Sequence, residues 1–300
     1  MRIVSWNCCW QKEGFTDEKR NEILKLKPDI LIVQECKQDD WLKLDFSDSN
    51  GHWYGDGKKS QGDPEKNLGI GIYCDKKYSI DCSLFKGQDL SNMRYALPYI
   101  IKYQDKEILT LFSVWAKSGY KHYHVPILNS LEYFFKKTKS FVAVVGDFNT
   151  GSQYNKETGR YYEFIKKELE TKYKLINCAF WQEWLPTFHV IDNINFEFYL
   201  DDHCFFEKSD KVLSFGIGDW RYWFKYSDHV PIIIDLEDNF YRLRNPKAPN
   251  TFLEDRSNNM VKVMREIGSQ MENTMKEIEL TIEREVGITK LKYGDYIKEL

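Results

Sequence analysis

The sequence lacks the features that mark several large classes of protein. Its 43 Lys and Arg residues nearly balance 46 Asp and Glu residues, giving a net charge of -3, so it has no strong positive field of the kind expected in a non-specific nucleic-acid binder. Seven cysteines form an odd number without a CxxC pair, which argues against a disulfide framework or a zinc knuckle. No apolar run approaches the roughly 20 residues of a membrane span, and the first residues lack the apolar segment of a signal peptide. We therefore expect a cytoplasmic protein that does not enter the membrane.

Two common catalytic motifs are also missing. There is no GxxxxGK[ST] motif, which disfavours nucleotide-powered transfer, and no GxSxG motif, which disfavours acyl hydrolysis by a serine nucleophile. What the chain does have is 42% hydrophobic and 16% aromatic residues over 300 positions. This composition is typical of a globular protein with a sizeable core.

Short apolar runs separated by turn residues dominate residues 1–238. They predict strands at Arg2 to Cys8, Ile30 to Gln34, Gly69 to Cys74, Tyr95 to Tyr103, Ile108 to Trp115, Phe141 to Gly146, Phe196 to Phe206, Val212 to Phe215 and Val230 to Leu236. Helices are predicted at Asp17 to Leu26, Val125 to Lys137 and Lys156 to Lys172. Too few helices follow the strands for a doubly wound parallel fold, so we expect an α/β protein with antiparallel or mixed sheets and helices outside.

The character of the chain changes after residue 238. Pro246 and Pro249 lie in a basic linker, and the tail that follows carries apolar residues at spacings of 3 and 4, namely Met260, Met264, Ile267, Met271, Met275, Ile278 and Ile282. This spacing predicts a helix of roughly 30 residues. We divide the chain into a catalytic domain at 1–238 and a linker with a helical tail at 239–300. The tail helix either folds back on the body or serves a protein partner or self-association.

Polar residues end four of the apolar runs. Asn7 ends the first, Glu35 ends the second, and the other two are bounded by Asp147 with Asn149 and by Asp228 with His229. A carboxylate at the edge of a core is unfavourable unless it is paired, hydrogen-bonded or bound to a metal. Four strands bounded in this way predict one shared polar pocket at the end of the sheets.

The residue types of this pocket indicate a chemistry. Carboxylate and amide oxygens are hard ligands that suit Mg²⁺ or Mn²⁺, as one or two ions, and do not suit zinc. A histidine beside an aspartate can donate to a phosphoryl oxygen or exchange a proton with water near neutral pH. Together they predict metal-assisted attack of water on a phosphate ester.

The ordered motifs of the body carry a family resemblance. Trp6-Asn7, Gln34-Glu35, Gly146-Asp147-Phe148-Asn149 and, some eighty residues later, Ser227-Asp228-His229-Val230-Pro231-Ile232 together resemble the endonuclease/exonuclease/phosphatase family, which includes exonuclease III, AP endonucleases and DNase I. The resemblance extends over residues 1–238. It implies a four-layer α/β/β/α sandwich with two mixed sheets packed face to face.

The resemblance also implies roles for individual residues. Glu35 would be the principal metal ligand with Asn7 beside it, and Asp228 would be available to the same or a second metal. Asp147 would orient or deprotonate the attacking water, and Asn149 would hold that water or a phosphate oxygen. His229 would contact the scissile phosphate. Whether Asp147 or His229 is the base stays open, and Asp202 is predicted to orient His229, with Asp201 as the alternate.

Two expected groups over the phosphate are less clear in the sequence. Where many members have a His or Tyr, this chain has Trp115-Ala116-Lys117, so Lys117, Tyr120 or His122 would have to substitute. Arg94 is our choice for a basic side chain over the phosphate.

We therefore expect a Mg²⁺-dependent nuclease that hydrolyses DNA phosphodiesters. The segment 219–226 interleaves rings with positive charge just before Asp228, an arrangement that suits a nucleic-acid strand. The alternative is a phosphatase or phosphodiesterase acting on a small nucleotide, a sugar phosphate or a lipid headgroup. A binding module without catalytic activity is a third reading, disfavoured because the polar catalytic groups of the motifs are present.

Overall fold

Strands that are apolar at nearly every position form the centre of the first sheet. The computed structural model describes residues 1–43, 50–55, 67–93, 95–116, 124–151, 156–179, 186–191, 196–207 and 211–237. In spatial order, the strands of the first sheet are β13 (Val212–Ile217), β14 (Ile232–Leu236), β1 (Arg2–Asn7), β2 (Ile30–Lys37), β4 (Leu68–Cys74) and β3 (Gly51–Gly55). β1 and β2 are parallel and the other pairs are antiparallel, so the sheet is mixed.

The second sheet also has six strands. In spatial order they are β5 (Tyr78–Asp81), β6 (Ala96–Tyr103), β7 (Lys106–Trp115), β8 (Phe141–Asp147), β12 (Asp202–Phe206) and β9 (Ile176–Asn177). β7 and β8 are parallel, whereas β8 and β12 are antiparallel. A separate hairpin consists of β10 (Phe188–Ile191) and β11 (Phe196–Tyr199).

Helices cover the two sheets on their outer sides. They are α1 (Asp17–Leu24), α2 (Gln38–Leu42), α3 (His124–Phe134), α4 (Lys156–Thr171) and α5 (Trp220–Trp223). α1, α2 and α5 supply Ile23, Trp41 and Trp223 to a core on one face of the first sheet. α3 packs on β6 and α4 on β9, and both contribute to the larger core between and beside the sheets. This arrangement confirms the predicted α/β sandwich of two mixed sheets.

The buried strands follow from their sequences. In β1, Ile3 and Val4 belong to different cores and both are buried, because successive side chains of a strand point to opposite faces and both faces of this sheet are covered. The four consecutive apolar residues Ile30–Val33 of β2 are buried for the same reason. Sheets covered on both sides therefore explain why the apolar runs do not alternate.

Several helix and strand boundaries in the structure differ from the predicted ones. The strand predicted over Phe196 to Phe206 is interrupted after Tyr199, and its two parts pair with different partners, β10 and β8. The helix predicted to end at Leu26 ends at Leu24, ahead of Lys27, whose φ is +52°. α3 ends at Phe134, and a 3₁₀ turn continues it to Lys137. β3, β5, β9, β10, α2 and α5 were not predicted, because each has too few residues to show a period.

The linker, the tail helix and the division of the chain at residue 238 lie outside the described residues. Among the described helices, none is both long enough and apolar enough to cross a bilayer.

A buried lysine holds the loop that follows β1. Lys19 of α1 is 4% exposed, and its Nζ donates hydrogen bonds to the carbonyl oxygens of Cys8 (2.6 Å), Cys9 (3.4 Å) and Lys12 (2.5 Å). Burial lowers the pKa of Lys19. An ammonium group with three donors is well matched to three buried carbonyls, and the loop it holds contains Trp10.

We expect Lys19→Met to lower the free energy of unfolding by about 2–3 kcal/mol, because it leaves buried carbonyl groups without donors. Urea denaturation measures this difference. Lys25→Met is the matched control, since Lys25 lies on the solvent side of the same segment in an ion pair with Glu22 at 2.6 Å, and it should cost under about 0.5 kcal/mol. Equal losses in the two variants would contradict this assignment.

Candidate active site

The polar residues that follow the apolar strands meet at one edge of the sandwich. Asn7 ends β1, Glu35 lies near the end of the adjacent parallel strand β2, and Asp147 ends β8 in the other sheet. Asp202 begins β12 and lies opposite Asp147 in the antiparallel register. Both sheets therefore present carboxylates at the same edge.

The backbone at this edge departs from regular strand geometry. Glu35 has a φ of +55° and lies where the register between β2 and β4 shifts, between Val33 and Cys36. Bulges of this kind redirect a side chain next to an active site. Gly146 has a φ of +142°, and a Cβ there would lie 2.0 Å from the carbonyl oxygen of Val114. Only glycine fits directly before Asp147.

Asn7 connects the carboxylates of the two sheets. Its Nδ2 donates to Glu35 Oε1 at 3.1 Å and to Asp147 Oδ2 at 2.9 Å. Its Oδ1 accepts from the backbone N–H of Cys9 at 3.0 Å. The backbone N–H of Trp10, in the loop held by Lys19, lies 3.3 Å from Glu35 Oε2 and donates to it. One amide thus fixes the spacing of Glu35 and Asp147.

Asp147 is fully buried and accepts three hydrogen bonds. Besides Asn7, the donors are the backbone N–H of Asn149, at 2.7 Å from Oδ1, and Asn149 Nδ2, at 2.9 Å from Oδ2. Asn149 reaches this position with a φ of +50°, which asparagine tolerates better than most residues. The motif Gly146-Asp147-Phe148-Asn149 therefore builds a single turn in which Asn149 supports Asp147.

His229 is held on both its ring and its backbone. Its Nδ1 lies 2.8 Å from Asp202 Oδ2, its backbone N–H donates to Ser227 Oγ at 3.1 Å, and its carbonyl accepts from Trp6 Nε1 at 2.9 Å. The Phe188 ring lies 4.6 Å from the imidazole, centroid to centroid. Of the two aspartates that the sequence left open, Asp202 is the one that contacts His229.

Thr187 explains why Asp202 occupies that position. Its Oγ1 accepts hydrogen bonds of 3.0 Å from the backbone N–H groups of Asp201 and Asp202. Ser227 has a similar role next to His229, because its Oγ also donates to the carbonyl of Asn7 at 2.7 Å. We assigned neither hydroxyl a role from the sequence. The only signal was that Ser227 belongs to the motif Ser227-Asp228-His229.

The electrostatics of the cluster are dominated by burial and mutual charge. Burial raises the pKa of Asp147 well above its ordinary value, with the charge of His229 opposing and that of Asp202 adding to the rise. Burial alone would lower the pKa of His229, but the charge and hydrogen bond of Asp202 raise it well above its ordinary value. The two shifts have different consequences, because one favours the imidazolium form of His229 and the other favours the neutral form of Asp147.

The donor set fits a divalent cation. Four carboxylates, from Glu35, Asp147, Asp202 and Asp228, surround one histidine. Burial raises the pKa of Glu35, and the nearby Asp228 adds to the rise. Ligand atoms of Asp147, Asp202 and His229 lie within 4.8 Å of one another. Such an excess of buried negative charge is unfavourable without a cation. Glu35 and Asp228 are half-buried, so they are more accessible than the fully buried Asp147 and Asp202.

The structure describes only part of the group that we predicted to lie over the phosphate. Arg94, Lys117, Tyr120 and His122 lie outside the described residues. Trp115 is 4% exposed and stacks on Tyr95 with a centroid distance of 5.1 Å. Trp115 is therefore a core residue next to the site.

The segment of mixed rings and charges forms α5 and its flanks. Trp223 and Tyr226 are buried in the outer core, whereas Trp220 is 45% exposed. Arg221 is paired with Asp219 at 2.9 Å. Trp220 lies beside Phe198 of β11, 6.0 Å between ring centroids. Exposed rings thus lie on and beside the hairpin, with Phe198 paired to His189 and therefore on the face opposite Phe188, the ring that contacts His229.

Comparisons with known proteins identify structures that share this architecture. No protein-family model matches the sequence, and no curated protein matches it. Solved structures do match. The endonuclease domain of TRAS1, a telomere-specific non-LTR retrotransposon, aligns with a TM-score of 0.54 and 18% identity, over 81% of this chain and 99% of that one.

Two further structures agree. TDP2 of D. rerio, complexed with a single-strand DNA product, aligns with a TM-score of 0.54 and 12% identity over 78% of this chain and 97% of its own. An endonuclease/exonuclease/phosphatase family protein from Leptotrichia buccalis aligns with a TM-score of 0.51 and 14% identity over 79% and 99%. The chain therefore has the endonuclease/exonuclease/phosphatase fold.

Proposed function

We propose that the protein is a metal-dependent phosphodiesterase, and specifically a nuclease that hydrolyses DNA with activated water. The observation that carries the proposal is the convergence of the Asp202–His229 pair with Asp147 and its partner Asn149 at one edge of the sandwich. The fold supports the reaction class, because the TRAS1 domain is an endonuclease and the TDP2 structure contains a single-strand DNA product.

The geometry assigns complementary tasks to the residues. Asp147, which accepts from Asn149 and Asn7, would orient the attacking water with its remaining lone pairs. His229, protonated and held by Asp202, would donate from Nε2 to an oxygen of the scissile phosphate and stabilise the charge that develops there. Asp202 holds the imidazole in one orientation and keeps its proton.

Glu35 and Asp228 are the residues that would hold the metal. His229 Nδ1 is already bonded to Asp202, so an ion between those two would have to break that bond. When bound, Mg²⁺ or Mn²⁺ would polarise the phosphate and offset the carboxylate charge. Asn7 orients Glu35 through its amide nitrogen, and its oxygen accepts from Cys9.

Trp220 and Phe198 are the groups we assign to the DNA strand. Both are partly exposed, at 45% and 39%, and lie next to the hairpin that contacts His229. Lys12 lies over the Phe224 ring, 4.8 Å from its centroid, and adds a positive charge on this side. Stacking on such rings accepts any base, which suits a chain whose net charge gives little long-range attraction.

Removing the metal by chelation and replacing a carboxylate of the site should both reduce DNA cleavage. We expect EDTA to abolish cleavage of a DNA substrate and Mg²⁺ or Mn²⁺ to restore it. Glu35→Gln and Asp147→Asn should each lower kcat by about 100-fold or more, as measured by gel cleavage assays. Glu163→Gln, an exposed carboxylate on α4, is the control. Full activity in EDTA or in both variants would rule out the proposed chemistry.

A pH profile separates the two candidate bases. Asp202 raises the pKa of His229, so Asp202→Asn should lower it. If the imidazolium donates to the phosphate, activity falls at high pH as His229 loses its proton. This fall should occur at a lower pH in the variant than in the wild type. Asp105→Asn, in an exposed turn, should leave the profile unchanged. An acidic limb that moves to lower pH would instead identify neutral His229 as the base.

The stacking surface gives a test of substrate class. Trp220→Ala should raise KM for single-stranded DNA about tenfold, since stacking on an aromatic ring contributes about 1–3 kcal/mol per base. It should leave turnover of bis(p-nitrophenyl) phosphate unchanged. Tyr133→Ala, an equally exposed ring on α3 (46%), is the control. Turnover of small esters with no DNA cleavage at all would favour the phosphatase alternative.

A further inference from the structure

Lys19 bonds to backbone carbonyls of the loop that follows β1. The residue is buried, and its Nζ donates to the carbonyl of Cys8 at 2.6 Å, to that of Cys9 at 3.4 Å and to that of Lys12 at 2.5 Å. None of these three acceptors belongs to the carboxylate cluster. The backbone of the same loop nevertheless connects this lysine to two polar side chains of the site.

The first connection is the peptide unit between Cys8 and Cys9. Its carbonyl oxygen accepts from Lys19 Nζ at 2.6 Å, and its N–H donates to Asn7 Oδ1 at 3.0 Å. The carbonyl and the N–H of a planar trans peptide point in opposite directions. The lysine and the Asn7 amide therefore hold one rigid unit from its two ends.

The next peptide unit, between Cys9 and Trp10, repeats this arrangement. Its carbonyl accepts from Lys19 Nζ at 3.4 Å and from the backbone N–H of Lys12 at 3.0 Å, and its N–H donates to Glu35 Oε2 at 3.3 Å. Cys9 has a φ of +49°, and a left-handed residue between two peptides lets consecutive N–H groups point to one side. The two N–H groups thus face the site, and both carbonyls face Lys19.

The charge of Lys19 strengthens the two N–H donors. A cation that is bonded to a carbonyl polarises the peptide, so the N–H of that peptide becomes a stronger hydrogen-bond donor. Because the ammonium group lies behind two peptide units, it supports Asn7 and Glu35 without taking up a lone pair of the carboxylate. A positive charge placed in this way assists an acidic site without filling it.

We propose that Lys19 is a positioning residue, which sets the orientation of Asn7 and Glu35 through the two peptide units of residues 8–10. Its main effect is on Asn7, because the bond to the Cys8 carbonyl is the shorter of the two. An Asn7 amide that is free to turn presents its oxygen to Glu35 and Asp147 and repels both carboxylates. The proposal rests on the proposed function, since it concerns the affinity of that site for a metal ion.

Calorimetric titration of the full chain with Mn²⁺ tests this role without measuring cleavage. We expect Lys19→Met to raise the dissociation constant about tenfold, because Asn7 and Glu35 lose their fixed orientation. Lys25→Met, at an exposed lysine of the same segment, should bind as the wild type does. Leu169→Ala, a truncation in the larger core, is the control for stability. It lowers the number of folded sites but not the affinity of each site.

Amide-proton NMR gives a readout that a general loss of stability does not change. In Lys19→Met labelled with ¹⁵N-cysteine and ¹⁵N-tryptophan, the amide protons of Cys9 and Trp10 should move upfield as their hydrogen bonds weaken. The Cys9 proton should move further, because its peptide has the shorter bond to the lysine. The amide of Cys74, which donates to the carbonyl of Asn50 at 2.7 Å, is the control and should not move.

Three results would overturn the proposal and leave the proposed function standing. They are equal Mn²⁺ affinities in Lys19→Met and the wild type, an equal loss of affinity in Leu169→Ala, or a Cys9 amide proton that does not move. A wild-type protein that binds no Mn²⁺ would refute the proposed function, and this proposal with it.

A measurement on the wild type decides the matter if Lys19→Met does not fold. Coupling between two groups is reciprocal, so Mg²⁺ should shift the ¹⁵Nζ resonance of Lys19 more than that of Lys25. Equal shifts of the two resonances in a protein that binds Mg²⁺ would contradict the positioning role.

Discussion

The hydrogen bonds of Asn7 are the interaction on which the rest of the site depends. Its amide nitrogen donates to Glu35 in the first sheet and to Asp147 in the second. A single side chain therefore bridges the two sheets at the edge that carries the carboxylates. Two carboxylates at this spacing repel each other, and a shared donor offsets part of that repulsion. Everything else at the edge is arranged around this bridge.

A second tie crosses the sandwich in the same place. His229 follows α5 and precedes β14 of the first sheet, whereas Asp202 begins β12 of the second sheet, and their 2.8 Å contact joins the two. The hairpin strand β10 adds backbone bonds on the same side, from His189 N–H to the Asp228 carbonyl and from Val230 N–H to the Thr187 carbonyl. The groups proposed to be catalytic are thus also structural ones, which ties the geometry of the site to the packing of the sheets.

Much of this arrangement follows from local sequence. A buried strand needs consecutive apolar residues, so runs such as Ile30–Val33 identify the sheet centre, and a carboxylate directly after such a run identifies its functional edge. Local sequence pattern does not show which residues that are distant in the sequence contact each other in the fold. After the break at Tyr199, the hydroxyl of Thr187 accepts hydrogen bonds from the backbone N–H groups of Asp201 and Asp202, which lie 14 and 15 positions away in the sequence. Thr187 bonds both backbone N–H groups, so Asp202 is distinguished from Asp201 by its own 2.8 Å contact with His229.

The role of Asn7 shows the same limit at the level of single atoms. Residue type identifies an amide at the edge, but not which of its atoms faces the carboxylates. That is decided by the backbone N–H of Cys9, which takes up the amide oxygen and leaves the nitrogen for Glu35 and Asp147. An amide turned this way organises the acidic ligands instead of competing with them for a cation. Part of the acidic excess of the chain therefore lies where a cation would offset it, and under the proposed function the exposed rings of Trp220 and Phe198 would supply the local attraction for a nucleic acid that the net charge does not.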